Sequence, residues 1–305
     1  MDPLLTAARH GPWVLVAGLC VGLALPGLAE AMRPLLPVLV LCLLFVSVLR
    51  IPPRALLGTL PDLPKVLGTA LALQLAVPLT VIALAHLTGQ HLSATALALT
   101  LMWAAPSIMG SPNISMMLGA SPDHGMRLMV AGTSLLPLTI IPVFWLSPAL
   151  GDMTSVRTTA LTLTATIGLT GAAAIATRAL LLSRPTETQQ KRLEGASAIA
   201  LAVFVIGLMP QVSTVAISDP VKAIYWAAVA FGANFGAQIL VWRLTRTRQP
   251  RDRALPISLI AGNRNVALFL VSLPPETTAP IMVFIGCYQL PMYLTPLLLR
   301  TMYRS

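Results

Sequence analysis

Long, uninterrupted runs of apolar residues, separated by short polar connectors, cover almost the whole chain. The runs are continuous rather than alternating, and they are too long for the strands of a membrane barrel. In a bilayer such runs form helices, because a helix satisfies its backbone hydrogen bonds internally. The pattern predicts an all-α polytopic membrane protein with ten transmembrane helices, at about residues 12–29, 33–49, 64–86, 92–118, 122–147, 156–182, 192–212, 220–243, 253–273 and 277–302.

Two of the predicted spans carry polar residues in their middle. The ninth contains Gly262-Asn263-Arg264-Asn265, and an arginine near the bilayer centre costs roughly 2.5–3.5 kcal/mol on insertion scales. Such a residue faces a protein interior or a watery cavity. The fourth span is interrupted by prolines and small polar residues. Since paired interrupted spans indicate a transporter's binding site, we expect substrate-binding residues at both breaks: Ser107, Gly110, Ser111, Asn113, Asn263, Arg264 and Asn265.

The charged residues are few and lie mostly in the connectors. The chain is 56% hydrophobic and only 10% charged, with a formal charge of +10. Sixteen of the 20 Lys and Arg residues fall on the side that holds both termini, and three fall on the opposite side. The positive-inside rule therefore predicts cytoplasmic termini. We expect a multi-pass protein of the bacterial inner membrane that binds the lipid bilayer and no nucleic acid.

The sequence contains no pattern typical of an enzyme. Three cysteines, Cys20, Cys42 and Cys287, lie inside apolar spans without metal or disulfide spacing. The chain has no Ser/His/Asp constellation, phosphate loop or cluster of metal ligands. We therefore predict neither catalysis, nor a cofactor, nor a bound metal.

The two halves of the chain, residues 1–150 and 151–305, resemble each other. Pro137-x4-Pro142 in the fifth span recurs as Pro291-x4-Pro296 in the tenth, and Asn113 in one break matches Asn265 in the other. Each half has an odd number of spans, so the second enters the membrane from the opposite side. This predicts an inverted repeat whose broken helices meet near the midplane, with the two asparagines facing each other.

Other features of the spans allow two readings. The amides of Gln74, Asn234 and Gln238 lie in otherwise apolar runs and either support the site or only link helices by hydrogen bonds. The small-residue motifs that begin at Gly18 and Gly232, each Gly-x3-Gly, indicate close helix packing.

The segment from Pro106 to Pro142 resembles the bile acid:sodium symporter family. It has a proline- and glycine-rich break ending in Asn113, followed by a short loop and a span with prolines. Residues 260–265 are similar to the family's Glu-x-Gly-x-Gln-Asn motif. The resemblance implies ten helices, a panel of spans 1, 2, 6 and 7, and a core of spans 3–5 and 8–10. Spans 4 and 9 would cross at their breaks, with substrate in the cleft between panel and core.

The chain departs from the family at the positions that hold sodium. The family's serine, hydroxyl, glutamate and glutamine ligands correspond here to Pro112, Met126, Val130, Ile260 and Arg264. Sodium needs hard oxygen ligands, which these side chains do not offer. We therefore expect Arg264 to take the place of the cation.

These features predict a secondary transporter of a small organic anion that works by alternating access, independently of sodium, as a monomer or homodimer. A sodium-coupled symporter of bile-acid type and an exporter of metalloid oxyanions are alternatives within transport. A sensor or scaffold that transports nothing is an alternative from another class. The substrate, the direction of transport and any coupled ion or proton do not follow from the sequence.

Overall fold

We describe a computed structural model of the chain that covers residues 2–50, 62–150, 153–182 and 185–304. The described part is mainly helical. Its β-type pairing is one isolated antiparallel bridge between Ser107 and Arg264. Residues 1, 51–61, 151, 152, 183, 184 and 305 lie outside the description. They include Arg54 and Arg184, which enter the predicted orientation, and Ser305.

The chain divides into two compact units, Met1–Pro52 with Ala165–Trp226 and Pro53–Thr164 with Ala227–Ser305. Each unit thus combines segments from both halves of the chain. The first contains α1 (Pro3–Arg9), α2 (Gly11–Ala24), α3 (Pro26–Met32), α4 (Leu36–Arg50), most of α10 (Met153–Leu181) and α11 (Glu187–Ser218). The second contains α5 (Leu63–Leu71), α6 (Val77–Leu87), α7 (Ala94–Ala104), α8 (Ser111–Met117), α9 (Pro122–Trp145), most of α12 (Pro220–Thr245), α13 (Arg251–Gly262), α14 (Pro275–Thr278), α15 (Met282–Leu298) and α16 (Arg300–Arg304).

Seven helices of the described chain are long and apolar enough to cross a membrane: Pro26–Arg50, Leu63–Leu87, Pro122–Trp145, Met153–Leu181, Glu187–Ser218, Pro220–Thr245 and Pro275–Leu298. An eighth span results if α1 and α2, which are bent by 100° relative to each other, count as one. These helices make the chain an all-α, multi-pass membrane protein. The predicted spans at 92–118 and 253–273 are each divided into shorter pieces, and the layout of ten spans as an inverted repeat stays a prediction.

The first predicted span, residues 12–29, has the wrong boundary. Helix α2 ends at Ala24, and α3 begins at Pro26 and joins α4 through a short 3-10 turn. The cause is Pro26, because a proline disfavours helical dihedrals in the residue before it. Leu25 accordingly leaves the helix, with φ −122° and ψ 71°.

In the first unit, α11 packs against α2 along a seam of small residues. A Cβ atom at Gly18 would lie 2.8 Å from the Ala202 carbonyl oxygen, and one at Gly22 would lie 2.7 Å from the Met209 side chain. The close packing predicted for this motif is confirmed. The same prediction is wrong for Gly232 and Gly236, since a Cβ built at either position meets no described atom within 4 Å apart from the local helix backbone.

In the second unit, α9 is the central helix. It packs against α5, α7, α8 and α13, so the pieces of both interrupted spans contact it. Its beginning is fixed by Ser121, whose hydroxyl accepts a hydrogen bond from the amide of Asp123, and by Pro122 in the first turn. The α9 helix thus holds the two interruptions within one compact unit.

Candidate functional site

The first interruption follows α7 and extends over residues 105–110. Ala105 adopts an extended conformation because Pro106 follows it. The hydroxyls of Ser107 and Ser111 share a short hydrogen bond, and Ser111 also donates to the Ile108 carbonyl at 2.9 Å. Both serines are fully buried. Their hydroxyls therefore stabilise the non-helical segment rather than face an open cavity.

The second interruption follows α13, which ends at Gly262. Residues 263–265 are not helical, and a 3-10 helix, Val266–Val271, continues the chain. The carbonyl of Gly262 accepts a hydrogen bond from Asn234 Nδ2 at 2.6 Å and a second one from the Tyr288 hydroxyl. A Cβ atom at Gly262 would overlap the Asn234 carbonyl oxygen. Glycine is thus required here because α12 approaches so closely.

The two interruptions pair with each other in an antiparallel arrangement. The Ile108 amide donates to the Asn263 carbonyl at 3.0 Å, and the Asn265 amide donates to the Pro106 carbonyl at 2.8 Å. These two bonds flank the bridge between Ser107 and Arg264. Non-helical backbone at membrane depth needs partners within the protein, and here each broken helix satisfies the other.

Arg264 lies at the centre of this pairing and is 1% exposed. Its Nη1 donates to the Ala105 carbonyl at 3.2 Å, and its guanidinium carbon lies 5.5 Å from the ring centroid of Trp103. Its Nε and Nη2 atoms are buried without a hydrogen-bond partner in the described part of the chain. The ion pairs found there do not include it. Arg264 is therefore a buried cation whose hydrogen-bonding capacity is only partly used.

A polar network behind the second interruption contains three predicted residues and several that the sequence analysis missed. Asn234 donates to Asn263 Oδ1 at 3.1 Å, and Gln238 donates to Asn234 Oδ1 at 2.6 Å and to the Thr295 hydroxyl at 3.0 Å. The missed members are Ser258, Tyr288, Thr295 and Tyr303. Their polar groups in apolar spans were a signal, but serine, threonine and tyrosine are too common in membrane helices to be selected by type.

The remaining predicted residues are placed differently. Gln74 lies in a π-helical turn, Ala72–Ala76, and donates to the Gly132 carbonyl of α9 at 3.0 Å. It therefore links helices and shares no described hydrogen bond with the paired interruptions. Asn113 lies in α8 after Gly110, and both are half-buried, as is Asn265. The expectation that Asn113 and Asn265 face each other stays a prediction.

The positions that would hold sodium in the resembled family are mainly apolar here. Ile260 packs in a cluster with Val66, Leu73, Leu128 and Ala261. Pro112 is buried in the first turn of α8, and Met126 and Val130 are half-buried on α9. Their side chains supply no hard oxygen ligand, and the absence of a sodium site stays a prediction.

Comparison with known proteins does not assign the chain to a family. No protein-family model matches it, and a search of curated proteins finds no significant match. The geometry of the site therefore carries the functional argument. It presents a fixed, dehydrated positive charge with unused donors at the meeting point of two broken helices, which suits an anionic group with two or more oxygen acceptors.

Proposed function

We propose that this protein is a secondary transporter of a small organic anion and that Arg264 is its principal anion-binding residue. The observation that carries the proposal is the buried guanidinium with two unpartnered nitrogens at the paired interruptions. A buried charge without compensation is strongly unfavourable. A carboxylate or sulfonate would supply the missing charge and acceptors, so its binding would be favoured at this position.

Alternating access explains how a buried residue can serve a substrate. Arg264 is 1% exposed, so an anion reaches it only after a conformational change. Interrupted helices at a binding site are typical of transporters that move one bundle against another. The two contact-defined units, with spans 1, 2, 6 and 7 mostly in one and spans 3–5 and 8–10 mostly in the other, support the panel and core of our proposal.

We further propose that the fold is that of the bile acid:sodium symporter family with the cation site replaced. The pairing of the interruptions and their positions after Ala104 and Gly262 support this proposal. The apolar surroundings of Ile260 support transport without sodium. Ten spans in an inverted repeat, cytoplasmic termini and a location in the bacterial inner membrane belong to the same proposal.

The test of the anion site compares two buried arginines. Arg264→Gln removes the guanidinium from the paired interruptions. The control, Arg178→Gln, removes one that is 9% exposed, donates to the Leu49 carbonyl and lies in the other unit. Purified proteins are assayed for binding and for uptake into proteoliposomes with pyruvate, benzoate and benzenesulfonate as probes.

We expect Arg264→Gln to weaken binding of any probe that the unmodified protein takes up by at least tenfold, because a charge-assisted hydrogen bond is lost. Arg178→Gln should leave the affinity unchanged even if it lowers the melting temperature. Unchanged affinity in Arg264→Gln, or an equal loss in both variants, would contradict the proposal. Binding without flux would instead favour a sensor.

Sodium dependence is tested on the unmodified protein. Replacing sodium by choline at constant ionic strength should leave anion affinity and uptake unchanged, because the sodium ligand positions lack hard oxygen donors. A gain of affinity with sodium would favour a sodium-coupled symporter and would show that Arg264 does not take the place of the cation.

A further inference from the structure

The second unit contains a cavity of about 500 Å³ that is separate from the paired interruptions. Its polar lining is basic or neutral, and its other wall is apolar. The lining residues include Lys65, Leu73, His124, Gln249, Arg253 and Ile257. The lining residues that the structure describes include no carboxylate. The basic side chains of the cavity have no role in the proposed anion site, so that site does not explain why they lie together here.

The three basic side chains come from the beginnings of three helices. Lys65, His124 and Arg253 are each the third residue of α5, α9 and α13. Side chains of a helix lean toward its N-terminus, so these three project over the helix ends. Helix N-termini also carry partial positive charge and unpaired amide groups. The cavity thus combines three basic side chains with three positive helix ends.

His124 provides an independent sign of a ligand. It is 8% exposed, and both of its ring nitrogens are buried without a hydrogen-bond partner among the described residues. A neutral imidazole has one donor and one acceptor, and leaving both unsatisfied inside a protein is unfavourable. The ring lines the cavity, so a polar group bound there would supply the missing partner.

The charges at this end of the unit leave one lining cation without an ion-pair partner among the described residues. Asp62 accepts from Arg253 Nη2 at 2.9 Å on both oxygens and from Arg127 Nη1 at 3.3 Å. Asp123 and Asp252 lie in the first turns of α9 and α13, and Asp252 accepts from the Ser121 amide at 2.9 Å. Lys65 has no ion-pair partner in the part of the chain that the structure describes, and its side chain is exposed. Lys65 is therefore a lining cation that is free to pair with a bound anion.

We propose that this cavity binds a phosphate ester, with its phosphate held by Lys65, His124 and Arg253 and its apolar part on Leu73 and Ile257. A phosphate fits better than a carboxylate because donors converge from three helices and a phosphate presents three terminal oxygens. The cavity is larger than a lone phosphate, and its apolar wall would take an organic remainder. The chemistry suits a phospholipid headgroup, as in basic pockets between membrane helices, or a soluble phosphate ester.

The test uses delipidated full-length protein in detergent and two probes. The soluble probe is sn-glycerol 3-phosphate, and the lipid probe is phosphatidylglycerol in mixed micelles, with phosphatidylcholine micelles as the zwitterionic reference. The melting temperature is measured against probe concentration to obtain an affinity. If only phosphatidylglycerol stabilises the protein, the site binds a lipid headgroup. If glycerol phosphate also stabilises it, the site accepts soluble phosphate esters as well. Either result supports the proposal.

Variants of opposite expected sign make the test specific. Lys65→Gln should weaken binding by about fivefold, as expected for one basic residue near a membrane surface. His124→Leu should abolish saturable binding, because the side chain can no longer form a hydrogen bond with the phosphate. The protein should stay folded, because the substitution also removes two buried nitrogens that lack partners among the described residues. Asp62→Asn should strengthen binding, since it removes the competing carboxylate. Lys222→Gln, an exposed lysine in the other unit, is the matched control.

The proposal would be overturned if neither probe stabilised the protein. It would also be overturned if Lys65→Gln bound the probes with the same affinity as the unmodified protein. Lys65 is exposed, so this variant stays informative even if the change at His124 prevents folding. The inference does not depend on the proposed transport activity. Arg264→Gln should bind both probes normally, and loss of binding in that variant would show that the cavity is not a separate site.

Discussion

Individual polar residues in the second unit are used in two distinct ways. Asn234 and Gln238 hold the carbonyl and the side chain of the second interruption, and Arg264 bridges to the first. Gln74 only connects a π-helical turn to α9. All four are buried amides or cations in apolar spans, so residue type alone does not distinguish a residue that supports the interruption from one that links helices.

The role of Asn234 gives a prediction at this scale. Asn234→Leu removes the hydrogen bonds to Gly262 and Asn263, and it leaves their buried acceptors with fewer partners. We expect the free energy of unfolding to fall by about 2 kcal/mol, measured by chemical denaturation in detergent. Gln211→Leu is the control, because Gln211 is a half-buried residue of α11 whose side-chain amide forms no hydrogen bond with the described residues. Its effect should stay within about 0.5 kcal/mol, and equal losses in the two variants would contradict the role assigned to Asn234.

At the scale of helices, two Gly-x3-Gly motifs differ in whether a neighbouring helix packs closely against them. Gly18 and Gly232 begin identical Gly-x3-Gly patterns, yet only the first faces a neighbouring helix closely. The difference arises because α2 and α11 pack along a common seam, whereas a Cβ added at Gly232 meets no described atom within 4 Å apart from the local helix backbone.

Alanine substitutions at these glycines should have opposite effects. Gly18→Ala places a methyl group 2.8 Å from a backbone oxygen, and we expect a loss of about 1–3 kcal/mol through overpacking. Gly232→Ala meets no neighbour and should gain about 0.5–1 kcal/mol, since alanine favours the helix. Thermal and chemical unfolding of both variants measure the sign. A stabilising Gly18→Ala substitution would show that α2 and α11 do not pack as described.

At the scale of the whole molecule, the arrangement in the membrane is the property to test. The long apolar helices make the chain a multi-pass membrane protein, while its orientation rests on the distribution of Lys and Arg. With Cys20, Cys42 and Cys287 replaced by serine, single cysteines are introduced at Thr88, Gln249 and Ser305, the last of which lies outside the described residues.

The expected labelling follows from the positive-inside rule. An impermeant maleimide should react with the cysteine at position 88 from outside intact cells, and with those at positions 249 and 305 only after the membrane is permeabilised. Position 249 is the internal control, because it lies in the connector richest in arginine. Labelling of positions 88 and 305 from the same side would refute the inverted repeat.

The sequence by itself determined the helical class, the membrane location of the chain and the two places where helices are interrupted. Each of these depends on local properties: the length of apolar runs, the cost of a charge in lipid, and the effect of proline on the residue before it. Such properties act within a few residues, so they can be read along the chain. Arg264 stood out for the same reason.

Only the tertiary structure decided which residues meet. The sequence did not show that Ser107 pairs with Arg264, that Tyr288 and Thr295 support the second interruption, or that Gln74 bonds to α9. It also gave no reason to group Lys65, His124 and Arg253 around one cavity. The hydrogen-bonded and bridged pairs join residues that are 24 to more than 150 positions apart. They depend on how the helices are arranged in three dimensions, because a side chain's partner is set by the helix packed beside it.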